Sequence, residues 1–298
     1  MPQSPQSRPL DALAIAVTLA LCLTWGFNQV AIKYAIGEIP PLTQAAVRSV
    51  VAALFVASYA RLRGIRLLER DGALLAGIAA GVLFAFEFFL IYVGLKWTTA
   101  TRAVLFLYLA PFFVVIGSRW FIPSDHFYPS QWFGLLISFV GVVIAFGLPT
   151  PAADPRQTLG DLMTVVAAIA WAATTLVIKA SPLNRISSEK TMLYQLVVSA
   201  PLLAAGAVVL RERIDVMPSA LAIGAGAYQA VWVVAVTYVV WFALIVRCSA
   251  NRLSAFTFLT PIFGAVAGHL VLAEPLTAPF ALSVAFVALG LVLVNRPR

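Results

Sequence analysis

The sequence predicts an all-α integral membrane protein, with ten transmembrane helices forming two inverted five-helix repeats around a central cavity. Three observations predict it. The first is composition: 62% of the 298 residues are hydrophobic, 11% are charged and the mean hydropathy is +0.96. A soluble domain is about 45–50% apolar and about 25% charged. The second is ten apolar segments, each near the roughly 20 residues that span about 30 Å of hydrocarbon at about 1.5 Å per residue. The third is that the second half of the chain echoes the first. Trp25 and Lys33 in Leu23–Ala35 are matched by Trp171 and Lys179 in Ile169–Ser181, both 146 positions on.

In order, the predicted spans are Ala12–Ile36, Pro41–Ala60, Ala73–Leu95, Ala100–Ile122, Trp132–Leu148, Leu162–Ala180, Thr191–Leu210, Ala220–Val246, Leu253–Val271 and Ala278–Val294. The first follows the tail Met1–Pro9 without a small-residue cleavage pattern, so it reads as a retained helix rather than a signal peptide. Turn and charge clusters at Arg61–Gly72, Ile122–Ser130, Pro149–Gly160 and Ser181–Lys190 separate neighbours. The longest link, residues 149–160, divides a first repeat (1–148) from a second (161–298).

Five spans per repeat is an odd number, so the second repeat enters the membrane from the opposite side. With the N-terminus inside, thirteen Lys and Arg, Arg61, Arg63, Arg66 and Arg70 among them, fall on the inner side and five on the outer. That bias predicts cytoplasmic termini. It also accounts for the net charge of +8 without nucleic acid, since no basic face interleaved with aromatics is present.

A second echo links spans four and nine: Arg102, Phe106, Leu109, Pro111 and Phe113 match Arg252, Phe256, Leu259, Pro261 and Phe263 at one offset of 150. Inverted repeats are typical of secondary transporters, with the substrate site near the midplane between them. Pro111 and Pro261 lie near the middle of their spans, where proline loosens or kinks a helix. They read either as hinges or as packing kinks.

Polar groups inside hydrocarbon are costly and commonly face a cavity or a partner. Glu87, in the run Phe84–Tyr92, has no charged residue within one turn. It either lines the cavity, meeting a substrate amine or carrying a proton, or bridges to another helix. Trp25 and Trp171 lie several residues inside their spans and read as cavity walls in preference to interfacial anchors. Near them, Asn28, Gln29, Thr174 and Thr175 offer hydrogen bonds to a zwitterion. Tyr92, Tyr108, Tyr228, Trp232, Tyr238 and Trp241 add aromatic surface.

Lys33 and Lys179 near helix ends read as snorkelling anchors, and Arg48 is the single deep cation available to a phosphorylated substrate. Gly77/Gly81 and Gly264/Gly268 permit close helix approach. Cys22 and Cys248 read as buried small hydrophobes, and His126 and His269 as structural. No phosphate-cradling loop, His-Glu-x-x-His pair or nucleophile elbow is present, so the residues point to no enzyme, no cofactor and no metal.

The pattern Thr24–Asn28 with Lys33, the run Thr101–Pro111, and the stretch from Leu259–Pro261 through Leu272–Pro275 resemble the EamA-type drug/metabolite transporter superfamily over nearly the whole chain. The resemblance implies ten helices in two inverted repeats, a central cavity and export of small metabolites across the bacterial inner membrane. Within the superfamily the chain is similar to bacterial exporters of aromatic amino acids, its helices one, three, four, six and eight being rich in aromatics. Gly26 follows the first Trp as in the family, whereas the second repeat has Ala172 there. The expected partners are amino-acid substrates and the lipid bilayer. The sequence leaves the oligomeric state open, a monomer being one option. A multidrug or cationic-metabolite exporter with Glu87 as counter-charge is the alternative. A membrane enzyme or lipid-handling receptor, from a different class, needs a catalytic constellation that is not visible.

Overall fold

Aspartate and serine side chains start several of the helices, and the bundle is built from the elements they set. A computed structural model describes residues 11–98, 100–122, 127–146, 154–272 and 279–296, without the side chains of Gln29, Lys33, Tyr34, Ala100, Thr101, Gly268 and Leu272. Among these residues the chain is helical and has no strand: α1 (Ala12–Ile36), α2 (Pro41–Leu62), α3 (Leu74–Gly94), α4 (Ala100–Leu107), α5 (Ala110–Phe121), α6 (Pro129–Phe146), α7 (Pro155–Ala180), α8 (Ser188–Val209), α9 (Ala220–Ala227), α10 (Tyr238–Arg247), α11 (Ala250–Phe256), α12 (Leu259–Leu272) and α13 (Phe280–Asn295). A 3-10 turn, Pro182–Arg185, follows α7, and a π-helical stretch, Tyr228–Thr237, joins α9 to α10.

Nine helical stretches among the described residues are long and apolar enough to cross a membrane, counting α4–α5, α9–α10 and α11–α12 as one each; α13 is a shorter apolar helix. Large apolar side chains point outward along them, including Leu75 (82% exposed), Val208 (76%) and Trp120 (68%), a surface that only lipid or another apolar partner suits.

The two proline spans are each broken. Leu109 N–H donates to Phe106 and Phe258 N–H to Ala255, tight i to i−3 bonds that end α4 and α11. Pro111 and Pro261 then fall in the first turn of α5 and α12, where a missing N–H costs little because that donor has no intrahelical partner. The other difference is α7, which starts well before the predicted Leu162. Asp154 accepts from Gln157 N–H at 2.9 Å and Pro155 occupies the first helical position, so a capped polar turn extends the helix beyond its apolar part. Residues 147–148 at the end of the predicted fifth span, 149–153 of the expected loop, His126, and residues 273–275 of the family-like stretch lie outside the described residues.

Helices meet in a few large contacts: α6 on α13, α2 on α8, α3 on α7 and α8, and α1 on α12 and α9. Small residues permit the closest of them. A Cβ on Gly26 would stand 2.7 Å from Gly264 N, so α1 and α12 touch almost backbone to backbone. Gly77 and Gly81 likewise face Tyr194 and Val198 of α8.

Loop carboxylates from one half cap helices of the other. Glu212 accepts from the N–H of Leu42 and Thr43 at the start of α2, at 3.2 and 2.8 Å. Glu38 accepts from the N–H and hydroxyl of Ser219 at the start of α9, and those bonds hold its carboxyl below the usual range. Arg102 and Thr98 both donate to Asp161 of α7 in a buried cluster. Aligning Trp25 with Trp171 sets Ile15 opposite Asp161, so the matching turn of α1 carries no carboxylate.

Candidate functional site: an aromatic cavity between the halves

A cavity of about 700 Å³ lies between α1, α2, α3, α4, α7, α8, α10 and α12. It runs from Phe84, Trp241 and Phe242 out to Ile36, Leu95 and Phe146, the last of these at or just beyond the ends of α1, α3 and α6. It therefore reaches one end of the bundle. The opposite end is filled by a cluster that includes Ala14, Ile178, Leu183, Ile245, Cys248 and Leu253.

Of the residues expected at a site, Trp25, Asn28, Glu87, Tyr92, Tyr108, Trp171, Thr174, Thr175, Tyr238 and Pro261 line this cavity. The side chain of Gln29 lies outside the described residues. Three expected positions are elsewhere. Trp232 is 49% exposed on the outside of the bundle. Tyr228 turns its hydroxyl to Thr24 O of α1, at 3.3 Å. Both belong to the π-helical stretch, whose i to i+5 turn shifts side chains off the faces that α-helical spacing assigns. Pro111 is buried in packing behind the wall.

The walls are rigid aromatic edges. Trp25 packs edge-to-face on Tyr238 (5.8 Å between centroids, 89°) and on Trp241 (5.3 Å, 79°), and its Nε1 donates to Thr237 Oγ1 at 2.8 Å. Trp171 packs on Tyr108 at 6.1 Å, 81°. Such pairs contribute about 0.5–1.5 kcal/mol beyond area burial, so the rings are held in place before any ligand arrives.

The polar groups behave differently. Thr174 and Thr175 donate to Ala170 O and Trp171 O of their own helix, which leaves their lone pairs facing the cavity. Asn28 Oδ1, Tyr92 Oη and Gln195 Oε1 are buried and have no hydrogen-bond partner among the described residues. Glu87 is 8% exposed and lines the cavity within electrostatic reach of Arg48. Buried polar atoms without partners are rare in folded proteins, and here several converge on one apolar space, the ordinary make-up of a ligand pocket.

Arg48 is the cavity residue that sequence reasoning undervalued. It is 3% exposed, lines the cavity and lays its guanidinium over the Phe88 ring at 4.2 Å. Its place in an otherwise apolar span was the available signal.

Lys179 corrects another expectation. Its ammonium does not snorkel to headgroups but donates to the carbonyls of Ile245, Val246 and Cys248 at 2.8, 3.0 and 2.6 Å. Three N–H donors meet three carbonyls where α10 ends, with the cation at the negative end of the helix dipole. Lys179→Met is therefore expected to destabilise the protein by about 2 kcal/mol, and Lys179→Arg by less, as read from thermal unfolding in detergent. The side chain of Lys33 lies outside the described residues.

An apolar helical bundle with an aromatic cavity that reaches one end, and lipid-suited outer faces, defines a multi-pass membrane transporter. The model of the EamA-like transporter family matches residues 12–147 and 158–296, and the chain belongs to that family, part of the drug/metabolite transporter superfamily. It is similar to the uncharacterized transporter YvbV of Bacillus subtilis (strain 168), 25% identical over 99% of this chain and 94% of that one. An uncharacterized transporter of Archaeoglobus fulgidus is 28% identical over 95% of this chain and 99% of its own. A solved crystal structure aligns with a TM-score of 0.82 at 18% identity, over 95% of this chain and 96% of the other, a likeness of fold.

Proposed function

We propose that the chain exports small neutral amino acids, aromatic ones preferentially, across the bacterial inner membrane by alternating access. The observation that carries this reading is the aromatic cavity holding a carboxylate and several unpartnered polar atoms. Its aromatic walls suit an apolar or aromatic side chain. Glu87, Asn28 Oδ1 and the threonine oxygens offer acceptors to an ammonium. A cavity of about 700 Å³ has room for one amino acid with part of its water shell, which favours a weak site that releases its cargo.

Two inverted repeats, residues 1–148 and 161–298, supply the movement in this proposal. The breaks before Pro111 and Pro261 are the flexing points, since each is a place where the helical ladder is already interrupted. With both termini in the cytoplasm, the end reached by the cavity is the outer one. The cytoplasmic end is then closed by the cluster around Ile178, Ile245 and Leu253.

Counterflow in liposomes tests the function. Purified protein is expected to exchange labelled tryptophan and phenylalanine faster than threonine, and a cationic dye slowly or not at all. Exchange of the dye without amino acids favours the multidrug reading. Flux of no solute contradicts transport by this chain alone.

A further inference from the structure

We infer that Arg48 is the anchor for a carboxylate, which makes that carboxylate obligatory for ligands of this cavity. The inference rests on the amino-acid reading only for the rest of the ligand, and the test separates the two. A guanidinium keeps its charge at any working pH and presents five N–H donors in a planar fork that matches a carboxylate. Arg48 is 97% hidden from solvent, yet its Nε and Nη2 have no hydrogen-bond partner among the described residues. Such a group is costly to bury. A folded chain that keeps it at a cavity wall leaves the partner to be supplied from within the cavity.

The surroundings support an anion there. The guanidinium carbon stands over the Phe88 ring, 4.2 Å from its centroid, a contact that holds the group at the wall without using its donors. Glu87, the residue before Phe88, lies within electrostatic reach of Arg48, but the two form no ion pair within 4.0 Å among the described residues. Gln44, one turn earlier on α2, is 3% exposed and has both amide atoms unpartnered. Gln195 of α8, the helix packed on α2, also has Oε1 unpartnered at this cavity, an acceptor open to the ammonium of a ligand. A guanidinium and a carboxyl group kept apart in one cavity are the complement of a zwitterion. The carboxylate goes to Arg48 and the ammonium to Glu87, while the side chain lies among the rings. An amine without a carboxylate leaves Arg48 buried and unpaired, and is rejected.

Binding of three probes to the purified full chain tests this, read by quenching of intrinsic tryptophan fluorescence. The probes are L-phenylalanine, 3-phenylpropionate (carboxylate only) and phenethylamine (amine only). Arg48→Gln is expected to weaken phenylalanine and 3-phenylpropionate by about 10- to 100-fold, the range for losing a charge-assisted pair. Phenethylamine binding is expected to stay as weak as before or to improve. Arg48→Lys should recover part of the loss. The ligand-free Arg48→Gln protein should melt at or above the wild-type temperature, because relief of an unpaired buried charge outweighs the lost contact with the Phe88 ring.

Unchanged binding of 3-phenylpropionate in Arg48→Gln overturns the inference, as does an equal loss of all three probes with a lowered melting temperature. If wild type ignores phenylalanine but binds 3-phenylpropionate through Arg48, the amino-acid reading falls and the carboxylate site stands. If wild type binds neither, the carboxylate site falls.

Discussion

Glu87→Gln is expected to lower amino-acid counterflow by at least about tenfold while leaving the thermal stability of the protein unchanged. The two parts of that result separate the roles open to this carboxylate. A group that bridges helices forms a hydrogen bond to a neighbour, and its loss lowers the melting temperature. Glu87 has no such bond to another described side chain. It stands on α3 among Phe84, Phe88 and Ile91 with its oxygens on the cavity side. Glutamine keeps the shape and removes the charge, so the lost attraction is the one made to an ammonium in the cavity. Retained exchange with a lowered melting temperature would assign Glu87 to packing instead.

Trp25→Ala is expected to damage both stability and transport. The indole fills the junction of α1 with the π-helical stretch and α10, where it meets Tyr238 and Trp241 and donates to Thr237. Truncating a large aromatic in such a place costs about 3–5 kcal/mol. Trp25→Phe keeps a ring but loses the bond to Thr237, a change of about 1 kcal/mol. It is expected to fold and to transport at a reduced rate. Unfolding in detergent and counterflow at equal expression check the series, with Lys33→Ala expected to be the milder change. If Trp25→Ala transports normally, the wall of the cavity does not depend on this residue.

Much of the bundle was legible because a membrane demands long apolar helices and because the two halves echo each other at Trp25/Trp171 and Arg102/Arg252. Most of the cavity followed from the same logic: polar atoms at Asn28, Glu87, Thr174 and Thr175 stand out in apolar runs. What was not legible depended on partners distant in sequence or on a changed helical register. Lys179 reads as an interfacial anchor until the chain returns at residues 245–248 with three carbonyls that accept from its ammonium. The start of α7 was hidden because a capped polar turn has no hydropathy signal. Tyr228 and Trp232 were grouped with the cavity as aromatic surface of the eighth span, and the π-helical stretch carries both away from it. Arg48 was discounted as a lone cation; its worth comes from Phe88 and Glu87, brought opposite it by the packing of α2 and α3.

The central claim, that one amino acid occupies the aromatic cavity with its charged groups divided between the two halves of the zwitterion site, is tested most directly by a structure determined with L-phenylalanine bound. The account predicts density between Trp25 and Trp171, with the ammonium toward Glu87 and Asn28 and the carboxylate toward Arg48. Ligand bound elsewhere, or seated there with its amine against Arg48, would contradict it.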